Sequence, residues 1–346
     1  MTWTRRAFVW TVLVGAAVPA GQPALAESAA EKALYDAAKA EGQLTWYSGI
    51  LDQPICDKIG QAFTAKYPGV RVNAIKTTSQ VAFQRLMQDM KAGAVQSDVL
   101  TTTDASHMTF LERKGELTQY VPENAKGLVP ALRDFGASGY YQVSWVGLVA
   151  LVYNSAKVTP ENAPKDWPDL ADPRWKDRLT FGSPNFSGMV GVWTVAMEDK
   201  YGWGYFEKLN KLNPLIGRSI DDAVTTLNSG ERIVGAGNPA TALRNAAKGN
   251  PIAVAYPTSG TLGVLSPSGI LKRAKNQNAA KLFMEFLTGP EYSRILAEQS
   301  EQPLRPDVAP PAGAKALSDI NLITKPVDEI EKKLPPNKEK WRETFG

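Results

Sequence analysis

The sequence contains very few of the cysteine and histidine residues on which disulfides, many metal sites and many catalytic centres depend. Its 346 residues include one cysteine, Cys56, and one histidine, His107. A single cysteine excludes an intrachain disulfide, and a single histidine excludes a histidine-rich metal site and any catalytic arrangement that needs two histidines. We therefore expect no metal, no cofactor and no enzymatic activity.

An excess of charge of one sign is also missing. Lysine and arginine number 39 and aspartate and glutamate number 35, so the formal net charge is +4. It falls to +2 if Arg5 and Arg6 are removed with the N-terminal segment described below. A charge so close to balance, without a basic run, argues against nucleic acid as a partner. The length suggests two domains.

The N-terminus has the pattern of an export signal. Arginines precede a short apolar run, residues 7–17, and ALA at residues 24–26 fits a small-residue cleavage site. Residues 4–9, TRRAFV, resemble a twin-arginine signal, and a general secretory signal with two arginines is the alternative. Either one predicts a signal peptide, residues 1–26, that is cleaved after Ala26 to leave a soluble periplasmic protein.

The remaining chain lacks a run long enough to cross a bilayer as a helix, which needs roughly 20 apolar residues. Its longest uncharged apolar stretch is QVSWVGLVALVYNS, residues 142–155. Apolar residues occupy both faces of this stretch, which is typical of a strand buried on both sides. We interpret it as the strand that carries the chain from one α/β lobe into a second.

Strands and helices alternate on both sides of this stretch. Strands that are separated by helices of about 10–15 residues indicate βαβ units and a mainly parallel sheet. The predicted strands are residues 43–47, 70–75 and 97–102 before the stretch, and residues 178–182, 231–237 and 252–256 after it.

These two series predict an α/β protein of two lobes with the site between them. Lobe 1 would comprise residues 27–142, and lobe 2 would comprise residues 143–255. The chain would then return to lobe 1 in residues 256–346, whose proline-rich, charged end would wrap the surface. We expect the hinge segments at residues 142–145 and 255–258.

Small polar residues stand where several predicted strands lead into helices. Ligands of open α/β sheets bind outside the carboxyl ends of the strands, where the free amides of helix N-termini attract anions. For each residue the alternative is a helix cap or core packing, but a subset that converges on one cleft would bind an anion. The candidate ligand-binding residues are Tyr47, Ser48, Thr103, Asp104, Ser187, Gly188, Arg218, Ser219, Asn238 and Tyr256.

Two of these candidates carry charge. The planar guanidinium of Arg218 suits bidentate contact with a carboxylate or phosphate, and the alternative is a solvated arginine or one paired with Asp221 or Asp222. Asp104 is the carboxylate that a positively charged ligand group would need.

Three further patterns have two interpretations each. Tyr140-Tyr141 suggests a phenolate metal site, but adjacent strand residues face opposite ways, so we expect packing. Residues 258–261, TSGT, are either a nest of amides for an anion or a plain turn. Ser106-His107 suggests a hydrolase, but no nearby carboxylate pattern completes a triad, so we expect an exposed helical histidine.

The order and spacing of several sequence segments resemble those of a known family over nearly the whole chain after residue 26. The segments are LTWYSG, SDVLTTTDASHMTFLERKGELTQY, LVYNS, DWPDLADPRWKDRL, LNSGERIVGAGNPA, YPTSGTLGVLSPSGILKRAKNQNAAKLFMEFLTGPEY and QPLRPDV. With them the chain resembles the periplasmic solute-binding proteins of ABC importers, in the branch that holds the ferric-iron-binding proteins.

The resemblance implies a type II periplasmic-binding-protein fold. Each lobe would be a mainly parallel sheet flanked by helices, and two crossing hinge segments would join the lobes. The lobes would close over a small-molecule ligand and deliver it to the membrane permease of an ABC transporter. We expect the protein to act as a monomer.

One departure from the family pattern bears on the ligand. Iron-binding members carry an adjacent tyrosine pair after the strand that here ends at Gly237, whereas this chain has NPAT at residues 238–241. Ferric iron needs hard oxygen donors such as phenolates and carboxylates, and neutral donors around helix ends suit an anion better. The sequence therefore favours a small organic anion, namely a phosphonate, a phosphate ester or a carboxylate.

Three alternatives stay open at this stage. The first is a ferric-iron-binding protein of an iron importer. The second, from a different class, is an exported hydrolase that uses Ser106 and His107. The third is a module that senses its ligand for a partner protein instead of for transport.

Overall fold

The structure is a computed structural model that describes residues 29–346. The predicted signal peptide and its twin-arginine motif lie outside the described residues. Within residues 29–346, no helix is both long enough and apolar enough to cross a membrane.

Helices and short connections make up most of the described chain. The helices are α1 (Ala29–Glu41), α2 (Gln53–Lys66), α3 (Ser79–Lys91), α4 (Ser106–Arg113), α5 (Pro130–Phe135), α6 (Gly188–Tyr201), α7 (Gly204–Asn210), α8 (Ile220–Ser229), α9 (Pro239–Ala247), α10 (Gln277–Thr288), α11 (Pro290–Glu298) and α12 (Val327–Phe345).

The strands, most of them separated by these helices, pair into one ten-stranded sheet. They are β1 (Gln43–Ser48), β2 (Arg71–Lys76), β3 (Val99–Thr101), β4 (Tyr141–Asn154), β5 (Leu179–Phe181), β6 (Leu215–Ile216), β7 (Val234–Gly237), β8 (Ile252–Ala255), β9 (Thr261–Ile270) and β10 (Leu322–Ile323).

The strand order is β2-β1-β3-β9-β4-β7-β5-β6, with β10 beside β9 and β8 beside β4. Strands β1, β2 and β3 pair in parallel, and so do β5, β6 and β7. The long strands β4 and β9 are antiparallel to each other and run through the middle. We name the part around β1–β3 lobe 1 and the part around β5–β8 lobe 2. The predicted two-lobed α/β architecture is confirmed.

Strand β4 is the connection that the apolar stretch predicted. All of its residues are buried, and its first part, from Tyr141 to Val149, pairs with β9. From Ala150 onward it pairs with β7 and β8 in lobe 2. The strand therefore changes partners at residues 149–150, later than the hinge predicted at residues 142–145, which lies within the pairing to β9.

Strand β9, which sequence reasoning did not predict, is the second crossing segment. Its sequence TLGVLSPSGI contains two glycines and a proline, which weaken the strand pattern. Pro267 lies opposite Val143, next to the bulge between Val143 and Trp145 in β4. A bulge interrupts the ladder of hydrogen bonds, so a proline is tolerated there.

Each of the two lobes has its own hydrophobic core. In lobe 1, Trp46, Phe63 and Phe283 pack on one side of the sheet, while Leu86 and Leu111 belong to a cluster on the other. In lobe 2, the main cluster is built around four fully buried aromatic residues, Trp167, Phe181, Trp193 and Phe206. Each lobe is therefore stabilised by its own buried apolar residues.

The C-terminal helix α12 packs on lobe 2. Trp341 is buried in the lobe 2 cluster, 5.7 Å from Phe206 between ring centroids, and Lys333 and Lys340 pair with Asp199 and Glu198 of α6. The sequence predicted a surface wrap here from its proline-rich, charged composition, and Pro335-Pro336 removes two amide donors from any helix. The helix nevertheless continues through both prolines.

Candidate functional site

A cavity of about 370 Å³ lies between the two lobes. Lobe 1 contributes residues 103–106, which follow β3, and lobe 2 contributes residues 184–189, which follow β5. Residues 263–265 of β9 line it as well, and α12 contributes side chains from the far end of the chain. Because both polar loops follow the carboxyl ends of strands, the cavity has the position expected for a ligand site in an open α/β protein.

Ser79 braces the lobe 1 side of this cavity. Its hydroxyl accepts a hydrogen bond from the Thr103 amide at 2.9 Å and lies 2.9 Å from the Thr103 hydroxyl. It also donates to the Gly49 carbonyl at 3.4 Å. A side chain at Gly49 would collide with this hydroxyl, so glycine is required for the approach. One buried serine thus connects the loops that follow β1, β2 and β3.

Asp104 organises the start of α4. Its Oδ1 accepts hydrogen bonds from the Ser106 amide at 3.1 Å and from the Ser106 hydroxyl at 2.5 Å. Its Oδ2 lies 3.6 Å from Nε2 of His107. The carboxylate is about two-fifths exposed, so it remains accessible from the cavity that it lines.

His107 is buried, not exposed as predicted. It stacks on Phe83 at 4.0 Å between ring centroids, and its Nδ1 lies 3.0 Å from the Thr102 hydroxyl. Burial lowers the pKa of His107, and the Asp104 carboxylate opposes that shift.

The same contacts bear on the hydrolase alternative. A nucleophilic serine needs a base within hydrogen-bond reach of its hydroxyl. Here the Ser106 hydroxyl donates to Asp104, and the His107 nitrogens face Thr102 and Asp104. Ser106 and His107 therefore do not form a nucleophile–base pair in this geometry.

The lobe 2 side of the cavity is the loop before α6. The Ser183 hydroxyl accepts from the Asn185 amide at 3.3 Å, and Ser187 is the N-cap of α6, accepting from the Val190 amide at 3.5 Å. That capping bond is long, and no atom lies within 4 Å of where a Gly188 side chain would begin. The start of α6, where an α-helix has amides without an intrahelical partner, therefore borders open space at the cavity.

Phe186 separates the main cavity from a second, shallower depression of about 780 Å³. Its ring is 66% exposed, and the Arg218 guanidinium lies 5.0 Å above it. Arg218 lines the second depression, together with the end of α12, and does not line the main cavity. Arg218, the cationic candidate for ligand binding, thus lies at the rim of the cleft, beyond Phe186.

Ser219 and Asn238 have the geometry of helix caps. Ser219 forms a capping box with Asp222, and hydrogen bonds from the Ser219 and Arg218 amides lower the pKa of the Asp222 carboxyl. Asn238 is buried and accepts from the Ala240 amide at 3.0 Å. Neither side chain lines the main cavity.

Three other candidates lie within lobe 1. Tyr47 is buried, and its hydroxyl donates to Asp89 at 3.3 Å. Ser48 is fully buried and donates to the Ile50 carbonyl at 2.9 Å. Tyr256 packs half-buried against the lobe 1 core. Of the ten predicted residues, the structure brings Thr103, Asp104, Ser187 and Gly188 together in the main cavity.

Residues 258–261 form a turn whose backbone amides all donate hydrogen bonds within the protein. The Thr258 amide donates to the Lys165 carbonyl at 3.1 Å. The Ser259 amide and hydroxyl donate to Asp166 at 3.2 and 2.6 Å. This matches the turn interpretation, since an anion nest would leave these amides free.

Helix α12 was the main contributor that sequence reasoning missed. Ile330, Glu331, Leu334 and Lys338 all line the main cavity. A helix more than 200 residues from the lobe 1 loop has no local pattern that places it there. Ser79, by contrast, follows a predicted strand, so the reasoning that selected Thr103 applies equally to it.

An ion pair with a buried carboxylate connects the lobes away from the main cavity. Arg244 of α9 donates to Glu301 at 2.7 Å, and the Trp145 indole donates to the other oxygen of Glu301 at 3.1 Å. Burial raises the pKa of Glu301, and Arg244 opposes that shift. Trp145 belongs to the lobe 1 core, whereas α9 packs on lobe 2, so the pair bridges the two lobes.

Within residues 29–346, no three side chains of histidine, cysteine, aspartate or glutamate lie close enough together to share a metal ion.

The sequence matches a known protein family and is similar to individual periplasmic proteins. The profile of a family described as bacterial extracellular solute-binding protein matches residues 96–333. A periplasmic protein of Salmonella paratyphi A, named as a candidate binder of 2-aminoethylphosphonate, is 23% identical over 322 residues, which cover 87% of this chain and 88% of that protein.

Solved structures share the fold. Iron-bound HitA from Pseudomonas aeruginosa has a TM-score of 0.72 at 22% identity, covering 87% of this chain and 99% of its own. AfuA from Actinobacillus pleuropneumoniae, solved with fructose-6-phosphate, has a TM-score of 0.70 at 21% identity, covering 88% and 99%. The fold is therefore that of type II periplasmic binding proteins.

Proposed function

Because the chain belongs to the bacterial extracellular solute-binding protein family, we propose that it captures a small organic anion for an ABC importer. The ligand class comprises phosphonates, phosphate esters and carboxylates. The protein works in the periplasm, without catalysis, and passes its ligand to the membrane permease of the transporter.

The observation that supports this proposal is the pairing of polar loops across one cavity. Residues 103–106 of lobe 1 and residues 184–189 of lobe 2 line the same space between the lobes. A ligand that contacts both loops gains interactions in the closed arrangement that an open arrangement lacks. Such a difference is what allows a ligand to shift the equilibrium toward closure.

The donors on these loops suit an anion. Thr103 and Ser187 bring hydroxyl groups, and the first turn of α6 brings backbone amides with the positive end of the helix dipole. Donors of this kind bind oxyanions in charge-assisted hydrogen bonds without a formal cation.

Related proteins include binders named for the proposed class of ligand and binders named for iron. Names of related proteins refer to 2-aminoethylphosphonate, fructose-6-phosphate and iron. The first two are organic anions that carry a phosphorus oxyanion, which supports the proposed class of ligand. Asp104 on the cavity wall supplies a carboxylate that would pair with the ammonium group of a zwitterion.

A thermal-shift screen of the purified protein tests the proposal. The panel contains phosphonates, sugar phosphates, carboxylates, amino acids and ferric iron. A ligand at 100 times its dissociation constant stabilises the folded protein by about 2.7 kcal/mol, which such a screen resolves. A shift with an organic anion but not with iron is expected, whereas a shift with iron alone would replace the proposal with the ferric-iron alternative.

Variants then test whether the ligand binds in the main cavity. We expect Thr103→Val and Ser187→Ala to reduce the ligand-induced shift, and Ser318→Ala, at an exposed position, to leave it unchanged. Equal shifts in all three variants would place the ligand outside the main cavity.

A further inference from the structure

The main cavity has an extensive apolar wall in addition to its polar loops. Phe135 comes from lobe 1, Met189 and Val192 from α6, and Leu265 from β9. Helix α12 adds Ile330 and Leu334. Apolar side chains therefore reach the cavity from both lobes, from a crossing strand and from the C-terminal helix.

Helix α12 is held in place over this wall. Leu334 packs so closely on α6 that a side chain at Gly191 would begin 2.7 Å from its Cδ1 atom. Lys325, at the cavity edge, pairs with Asp199 and lies 2.9 Å from Glu329, so its charge is already neutralised by the protein. The apolar residues of α12 thus face the cavity as part of a fixed structure.

The cavity is also larger than a compact anion requires. Its volume of about 370 Å³ lies within the range of sites that enclose organic ligands of several carbon atoms. A phosphonate with one or two carbons would fill only the polar end. The apolar end would then stay in contact with water, although burying apolar surface is favourable.

We propose that the ligand carries an apolar substituent, an alkyl chain or an aryl ring, that packs under α12 while its anionic group binds the polar loops. This inference rests on the proposed function and narrows the substrate class from organic anions in general to amphiphilic ones. Exposed Phe186 stands at the boundary of the cavity, where the ring of a bound ligand would contact it.

A homologous series of ligands measures this directly. Titration calorimetry compares methyl-, propyl-, pentyl- and phenylphosphonate against the full protein, with inorganic phosphate as the compact reference. Burial of each CH₂ group tightens binding about fourfold, so affinity is expected to rise along the series. Phenylphosphonate is expected to bind at least tenfold more tightly than methylphosphonate.

Two variants assign the gain to α12. Leu334→Ala and Ile330→Ala are expected to reduce the affinity ratio of pentyl- to methylphosphonate severalfold. Leu34→Ala, a truncation of a similarly half-buried leucine on α1, is the matched control and keeps the ratio. Because the readout is a ratio within each variant, a general loss of stability does not imitate the effect.

The outcomes separate this inference from the proposed function. If the compact anions bind but affinity stays flat or falls along the series, the amphiphilic ligand is ruled out and the anion-binding function stands. If no phosphonate, phosphate ester or carboxylate binds, the proposed function itself fails. A rising series that Leu334→Ala and Ile330→Ala leave unaltered would place the substituent away from α12 and overturn the inference.

Discussion

The Arg244 guanidinium and the Glu301 carboxylate lie 2.7 Å apart and join helix α9 of lobe 2 to the segment after α11 in lobe 1. Glu301 is only 4% exposed, while about a third of the Arg244 side chain is accessible. The pair is completed by Trp145, whose indole donates to Glu301 from the crossing strand β4. A change at either residue therefore acts on the junction between the lobes.

Arg244→Ala is expected to lower the free energy of unfolding by about 3 kcal/mol, because it leaves a buried carboxylate without its cation. The folded-state pKa of Glu301 is already raised, and without Arg244 it rises further. The folded variant then binds more protons than the unfolded chain, so its stability falls as pH increases between the two pKa values. Urea unfolding at about pH 5 and pH 8 measures this, with the larger loss expected at pH 8.

Two further variants test the assignment to the ion pair. Arg342→Ala removes an arginine whose pairing with Glu339 is exposed, and it should cost at most about 1 kcal/mol. Arg244→Ala combined with Glu301→Gln should recover part of the stability, since no buried charge remains. A double variant as unstable as the sum of the single ones would mean that the two residues act independently.

His107 is expected to titrate below the value of about 6.5 that is typical of an exposed histidine. Burial against Phe83 disfavours its charged form, and Asp104 only partly opposes this. The folded state then binds fewer protons than the unfolded chain, so stability is lost as pH falls from the unfolded pKa through the folded one. Because the chain has one histidine, a single imidazole proton signal in NMR follows the titration. A midpoint above 6.5 would contradict the buried geometry.

Ser79→Ala is expected to destabilise the protein by about 1–3 kcal/mol, because the Thr103 amide loses its buried acceptor. The local effect should be faster hydrogen exchange at the Thr103 amide, which lies beside the cavity. Ser318→Ala is the control, since its hydroxyl is exposed and contacts only the neighbouring Asp319. Unchanged exchange at Thr103 would show that Ser79 does not brace the loop.

Gly235→Ala is expected to destabilise lobe 2 by about 3 kcal/mol or more. A methyl group there would collide with the Thr180 carbonyl oxygen, a backbone atom of the paired strand β5 that has no room to move. The comparison is Gly204→Ala, where no atom lies within 4 Å and alanine favours the helix. Thermal unfolding of both variants decides the point, and a Gly235→Ala protein as stable as the parent would contradict the close pairing.

Local signals in the sequence predicted much of the secondary structure. A helix cap was the alternative interpretation of Ser219 and Asn238, and each accepts an amide hydrogen bond at the start of its helix. The buried strand β4 followed from an uncharged apolar stretch. These predictions succeed because caps and burial patterns depend on residues within a few positions of one another.

Features that depend on distant residues were not predictable in the same way. Strand β9 contains Pro267 and glycines, and its pairing with β4 compensates for that weak local preference. Helix α12 contains Pro335-Pro336, and its anchor is Trp341, which is buried among aromatic residues of lobe 2. In both segments tertiary packing outweighs local propensity.

The sequence by itself determined the class of protein, through its resemblance to a family, and the alternation of strands and helices, through the periodicity of its apolar residues. The tertiary structure alone decided which polar residues share the cavity. It placed Thr103 and Ser187 on facing walls, kept Tyr47 and Ser48 buried within lobe 1, and brought Leu334 from the C-terminus to the site. The physical reason is that a cavity is formed by surfaces from distant segments, and their approach depends on the packing of whole lobes.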